Sequence, residues 1–326
     1  MKRAIFNLCL LALTGVLFIG CSNSLEDDEA NLAIVWGDAG KFVSAGELPG
    51  FRYDVVLRCE GLTLRHSFIG VPAAKFKVIP GVWSITVKGY DREMNLKVMG
   101  IEQVKIGAGK NETKVMNIYT ASEVGSWVEL NDAINLSGNS AAFTSSNPRT
   151  ELLLISKSFS TKPVGGSTHT IDIPRPIILV AENDITIERS SPNDAFFGIR
   201  GAFSASRLTL GLDGMTGTIT LDGKSISASR PLITVAYNNM SSTSGSLILN
   251  NGVTIKGNTN TSASPPFGGG VSVDEDGTFI MNGGIISGNT ANDDNGSGGA
   301  YVRTGGTFIQ LGGIISGNKP NDVVRE

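Results

Sequence analysis

Thirteen residues beginning at Gly277 recur almost unchanged 29 positions later, beginning at Gly306. The first copy reads Gly277-Thr278-Phe279-Ile280-Met281-Asn282-Gly283-Gly284-Ile285-Ile286-Ser287-Gly288-Asn289. The second differs only in placing Gln310 and Leu311 where the first has Met281 and Asn282. Upstream, Gly245-Ser246-Leu247-Ile248-Leu249-Asn250 followed by Val253-Thr254-Ile255-Lys256-Gly257-Asn258 is the same unit with one extra residue. Gly217-Thr218-Ile219-Thr220-Leu221-Asp222 begins a fainter copy. The unit is therefore about 30 residues long, and self-similarity at such a period marks a stacked array in which each unit buries its apolar face against its neighbours.

The content of the unit says which array. Three short strand-like runs, Val271 to Val273, Thr278 to Met281 and Ile285 to Ser287, are separated by turn residues, and none is long enough for a helix. Eighteen of the 41 glycines fall after residue 244, so the composition is turn-rich and β-rich rather than that of an α/β enzyme. Three strands and three turns make one coil of a triangular solenoid, with neighbouring coils about 4.8 Å apart. Phe279 is expected to stack on Leu247 and Phe308, and Ile285 on Val253 and Ile314. Gly-Asn at 257–258, 288–289 and 317–318 suits corners that need left-handed backbone angles. Asp184 to Glu188 and Leu208 to Gly211 read as earlier, less regular coils, giving five to seven in all over 125–326. The run Gly283 to Asn289 resembles the repeats of bacterial right-handed parallel β-helix surface proteins of the pectate-lyase-like fold. That resemblance covers about two thirds of the chain.

The N-terminal part reads differently. Lys2 and Arg3 precede an apolar run from Ala4 to Gly20, the pattern of a secretory signal. Its end, Leu17-Phe18-Ile19-Gly20-Cys21, resembles the lipobox of bacterial lipoproteins. The resemblance implies acylation of Cys21, removal of 1–20 and a membrane anchor, on the outer membrane or cell surface. The stretch 21–30, with Glu26-Asp27-Asp28-Glu29, is too polar to fold and reads as a tether. With Cys9 in the signal and Cys21 lipidated, only Cys59 remains, a small hydrophobe within the strand-like run Tyr53 to Cys59.

Residues 31–120 alternate short apolar runs with turn signals: Leu32 to Trp36, Tyr53 to Leu57, Leu62 to Leu64, Lys75 to Ile79, Trp83 to Val87 and Val115 to Tyr119. This predicts a small antiparallel β-sandwich, with Trp83, Ile85 and Val87 on one face after a Pro80-Gly81 turn. The segment Phe76 to Val87 resembles the transthyretin-like or immunoglobulin-like modules of bacterial surface proteins. The stretch 121–150 is a linker with a helix, Trp127, Leu130 and Ile134 lying on one face and Ser126 and Glu129 forming a capping box. That helix is placed to cover the first coil of the solenoid over 151–326, whose edge would otherwise invite pairing.

For function the residues are less specific. A net charge of −3 and a pI near 5.6 leave no electrostatic footprint for nucleic acid. Glycoside hydrolysis needs two carboxylates on one face, and the candidates are Asp213, Asp222, Asp274, Glu275 and Asp276. Asp213-Gly214 and Asp222-Gly223 are turn dipeptides. Asp274-Glu275-Asp276 is the densest acidic cluster, a solvated loop or a calcium site; one coil on stand Arg303, Thr304 and Gly305, so the acids form no ladder. His66 and His169 fall in different domains, and no cofactor is expected. These features point to a non-catalytic, adhesin-like surface lipoprotein binding a glycan or protein through the loops 259–267 and 290–297. The alternatives are a polysaccharide lyase or glycoside hydrolase and a structural component of a surface assembly.

Overall fold

The computed structural model describes residues 30–38, 50–70, 73–135, 150–164, 168–200, 206–236, 244–262, 268–292 and 296–326. The signal, Cys21, most of the tether and the tips of both loops lie outside them. The chain divides into two compact units, one ending at Ser122 and one beginning at Glu123.

In the first unit Arg52–Cys59 pairs antiparallel with Leu62–Ile69 and with Gly81–Tyr90, and the latter pairs antiparallel with Leu96–Ile106. Ala30–Asp38 pairs antiparallel with Ala73–Val78 and parallel with Asn111–Val124. Alternation decides the faces. Tyr53, Val55, Leu57 and Cys59 point into one core with Trp83, Ile85 and Val87, and all seven are buried. The Trp83 indole N–H donates to the Ile79 carbonyl at 3.0 Å. The Cys59–Leu62 hairpin closes through Glu60 and Gly61, both left-handed, the two-residue turn that matches strand twist. Each predicted strand is present. Leu96–Ile106 was not foreseen, because Val98, Met99, Gly100 and Ile101 are buried in succession and mask its alternation.

The second unit is built from stacked parallel sheets. The first holds Glu151–Ile155, Pro176–Ala181, Arg207–Leu210, Gly245–Leu249, Gly277–Met281 and Thr307–Gln310. The second runs from Phe159–Ser160 through Ile185–Glu188, Ile219–Asp222, Val253–Lys256 and Ile285–Ser287 to Ile314–Ser316. The third runs from Ile171–Asp172 through Phe197–Ile199, Ile233–Val235, Val271–Val273 and Ala300–Val302 to Val323–Arg325. The chain visits first, second and third sheet in turn and then returns to the first, one coil on. A short fourth sheet joins Ser227–Ala228, Thr259–Asn260 and Thr290–Ala291. All-β architecture with stacked parallel sheets is thus what the repeat period implied.

Columns of apolar side chains fill the interior. Leu247, Phe279 and Phe308 stack as expected, the two rings with centroids 4.8 Å apart and planes 17° from parallel. In the second predicted column Ile285 stands beside Ile314 as expected, and the rest is corrected. Ile285 pairs with Thr254, not Val253, and Ile285 and Ile314 face outward, 40% and 57% exposed. The inward column is Ile255, Ile286 and Ile315. Between the first and second sheets the coil of Gly245 carries Asn250, Asn251, Gly252 and Val253, where the next coil carries only Asn282, Gly283 and Gly284. That one-residue difference shifts the register, and one residue of slip exchanges the faces of a strand.

Helix α1, Trp127–Asn135, closes the end of the stack at its first coil. Trp127, Leu130 and Ile134 are fully buried, with the Trp127 ring against Phe159, Phe196 and Phe197. The Ser126 hydroxyl accepts the Glu129 N–H at 3.2 Å, while the Glu129 carboxylate accepts from Gly125, one residue earlier than the capping box predicts. Arg175 ties the other end down, donating to the Ala133 carbonyl at 2.9 Å and pairing with Glu151 at 2.5 Å.

Candidate functional site

The corner that follows the second sheet carries the excursions. Gly257, Gly288 and Gly317 turn it with φ of 69°, 64° and 70°, the left-handed angles expected of Gly-Asn. The asparagines have a different task. Asn258 and Asn289 are fully buried and Asn318 nearly so. The Asn258 N–H donates to Asn289 Oδ1 and the Asn289 N–H to Asn318 Oδ1, each at 3.0 Å. Asn289 Nδ2 donates to the Ile255 carbonyl and to Asn318 Oδ1, each at 3.1 Å. Asp322 ends the series, its Oδ1 accepting both the N–H and the Nδ2–H of Asn318 at 2.9 Å. Side-chain amides thus satisfy buried backbone groups where the sheets interrupt. An identical polar residue recurring at the repeat spacing was the available signal for this ladder.

Beyond the asparagines the two loops leave the stack, each anchored at its base by side-chain hydrogen bonds. Asn260 Nδ2 donates to the Gly268 carbonyl at 2.7 Å, joining the two ends of the first loop, and Asn260 Oδ1 accepts the Ser262 N–H at 3.0 Å. In the next coil Ser297 Oγ donates to the Asn321 and Asp322 carbonyls, both at 3.0 Å. Thr259 pairs with Thr290, and Gly268 bridges Ser297. The described flanks of the two loops therefore lie side by side, as successive coils demand.

The acidic cluster occupies the corner after the third sheet. Asp274 is buried, its Oδ1 accepting from Arg303 Nη1 at 3.1 Å. Backbone bonds place Asp274 beside Val235, Arg303 beside Val273 and Glu326 beside Val302, so the three charges follow one another on consecutive coils. Glu326 in turn accepts from the Tyr301 hydroxyl. Burial pushes the Asp274 carboxyl up, and the Arg303 guanidinium opposes that shift. A solvated loop is therefore not where Asp274 lies. Asp276 turns the corner with φ of 63°. Among the described residues no group of three His, Cys, Asp or Glu side chains is arranged to hold a metal ion. The cation facing Asp274 is Arg303. Asp213 is exposed in a turn, and Asp222 accepts from the Lys224 N–H and pairs with Lys256.

Two features escaped the sequence. His169 Nδ1 lies 3.3 Å from Ser190 Oγ, which itself donates to the Thr161 carbonyl, while Ser190 N–H donates to Thr161 Oγ1 at 3.0 Å. Because the Ser190 proton is directed at a carbonyl, these contacts stitch neighbouring coils rather than arm a nucleophile. Beside them Arg189 is buried, its guanidinium donating to the Ser191, Asp194, Arg230 and Pro231 carbonyls and lying 5.5 Å from the Phe196 ring centroid. Burial pulls its pKa down to about 10, with Asp194 opposing, so it remains charged at neutral pH. Residues from four separate stretches meet here, and no spacing along the chain announces that. His66 belongs to the other unit, exposed beside Phe68 and Phe76.

The chain matches no protein-family model, no curated protein and no solved structure.

Proposed function

We propose that the protein is an exported lipoprotein, anchored through Cys21, whose stacked coils form a right-handed parallel β-helix that binds a glycan or a protein. In this reading 31–120 is a sandwich-like spacer between anchor and solenoid. The observation that carries the proposal is the pair of excursions at one corner on successive coils, the first with its neck closed by Asn260 and the second tied at Ser297 to the coil that follows. Rigid necks on a rigid stack let loop residues vary without disturbing the interior columns, the usual arrangement of binding loops on a scaffold. The loops offer Asn, Ser and Thr, which both donate and accept hydrogen bonds, and Asp, whose carboxylate accepts them, a mixture suited to hydroxyl-rich ligands.

The test uses protein from Ser22 to Glu326, retained on a panel of neutral and acidic polysaccharides and on host surface proteins. Retention that disappears when 261–267 and 292–296 are both replaced by short glycine turns supports the proposal. Retention unchanged by both replacements refutes it, and release of new chain ends from any polysaccharide would make the protein an enzyme instead. Anchoring is tested separately by labelling cells with a radioactive fatty acid, and Cys21→Ser should abolish incorporation.

A further inference from the structure

Two Asn-Gly pairs occupy the corner between the first and second sheets on successive coils, Asn251-Gly252 and Asn282-Gly283. Their intrinsic chemistry is the same. A glycine after asparagine leaves the next backbone nitrogen unhindered, and that nitrogen, once deprotonated, can attack the side-chain carbonyl carbon. The structure separates them.

Asn282 is held at both reacting groups. Its Nδ2 donates to Asn250 Oδ1 at 2.9 Å, and the Gly283 N–H, the nucleophile's proton, is given to the Leu249 carbonyl at 3.2 Å. Asn251 is held at neither. It is exposed in a turn, and among the described residues its amide has no hydrogen-bond partner and the Gly252 N–H donates to none. Gly252, with φ of 79°, is the residue that the register shift makes extra to this corner. Its carbonyl accepts the Ile219 N–H at 2.9 Å, which leaves the Gly252 nitrogen as the unengaged side of this peptide among the described residues.

We infer that Asn251 is a site of spontaneous deamidation in the folded protein and that Asn282 is protected. The Gly252 nitrogen forms a bond to Asn251 Cγ, the Nδ2 group leaves as ammonia with the displaced proton, and a five-membered succinimide results. Water then opens the ring at either carbonyl, giving aspartate or isoaspartate. The isoaspartyl product adds a methylene to the main chain and moves the groups of Asn251 that overlie Gly283. Asn251 Oδ1 overlies Gly283 so closely that a Cβ there would stand 2.2 Å away. Modification at Asn251 therefore strains the contact between two coils of the repeat.

The experiment ages the whole folded chain at neutral and mildly alkaline pH and follows both peptides by mass spectrometry, resolving isoaspartate by its resistance to cleavage at aspartate. The same chain held in denaturant serves as reference. In the folded chain Asn282 should react at least about tenfold more slowly than Asn251, the factor that about 1.4 kcal/mol of hydrogen bonding gives. In denaturant the two should converge. Asn251→Gln, at an exposed position, should remove the early mass gain of the peptide that carries it while leaving the rate at Asn282 unchanged. Equal rates at the two sites in the folded chain, faster reaction at Asn282, or an early mass gain in the peptide of position 251 that survives Asn251→Gln would each overturn the inference, while any gain at Asn295-Gly296 is read on its own fragment.

Discussion

Replacing Asn289 by alanine tests whether the asparagine ladder holds the stack together. Asn289 is fully buried, and its amide touches three groups: the Asn258 N–H, the Ile255 carbonyl and Asn318 Oδ1. In Asn289→Ala the Asn258 N–H, in a fully buried residue, loses the one acceptor it has among the described residues, and an orphaned buried donor costs about 1–3 kcal/mol. Asn318 Oδ1 keeps the Asn289 backbone N–H, so the two lost Nδ2 bonds cost less, about 0.5–1.5 kcal/mol together. The expected loss is about 3 kcal/mol. Stacked repeats unfold in parts, so urea unfolding should be joined by hydrogen exchange at the Asn258 amide, whose protection should collapse. Asn289→Asp keeps the acceptor for Asn258 but turns an oxygen toward two other oxygens. Its buried carboxyl is raised, so its stability should recover as pH falls and the acid protonates. Ser287→Ala, on the outward face, should stay within about 0.5 kcal/mol of the parent. A loss that small at Asn289 would mean that water reaches the corner, and the reasoning would be wrong.

Three further outcomes are expected. Trp127→Ala should cost about 3–5 kcal/mol, because a fully buried aromatic is removed from against three rings, and exchange should rise at Phe197–Ile199 well before Ala300–Val302. Burial and the neighbouring Glu60 charge push the Cys59 thiol up, so the folded chain should resist alkylation at Cys59 at neutral pH and label on unfolding; rapid labelling of the folded chain would contradict the burial. Because burial raises the Asp274 carboxyl, the folded state holds its proton more tightly than the unfolded chain. Stability should fall as pH rises from the ordinary carboxylate range through that raised value, and Asp274→Asn should remove this slope, read from denaturation midpoints across pH.

Much of the fold was legible along the chain because repeats convert spacing into geometry. A 29-residue recurrence of Phe279 at Phe308 places the two rings on neighbouring coils whatever the rest does, and the stacked pair follows. The helix was equally plain, since Trp127, Leu130 and Ile134 lie on one face only at helical pitch. The failures are as specific. Two adjacent isoleucines, Ile285 and Ile286, give no alternation from which to choose a face, and one extra residue at the corner of the preceding coil settled the matter. Asp274 looked like a loop acid because the sequence shows its neighbours Glu275 and Asp276, not Arg303.

Composition, period and turn residues by themselves determined an all-β chain, the length of its coil, the strands within each coil and the glycines at its corners, because these depend on contacts repeated at a constant separation. Which asparagines carry a buried ladder, which isoleucine turns inward, and how His169, Ser190 and Arg189 come to share one place were decided only in three dimensions. There, one residue more or less at a corner changes the register, and with it every side chain that follows on that strand.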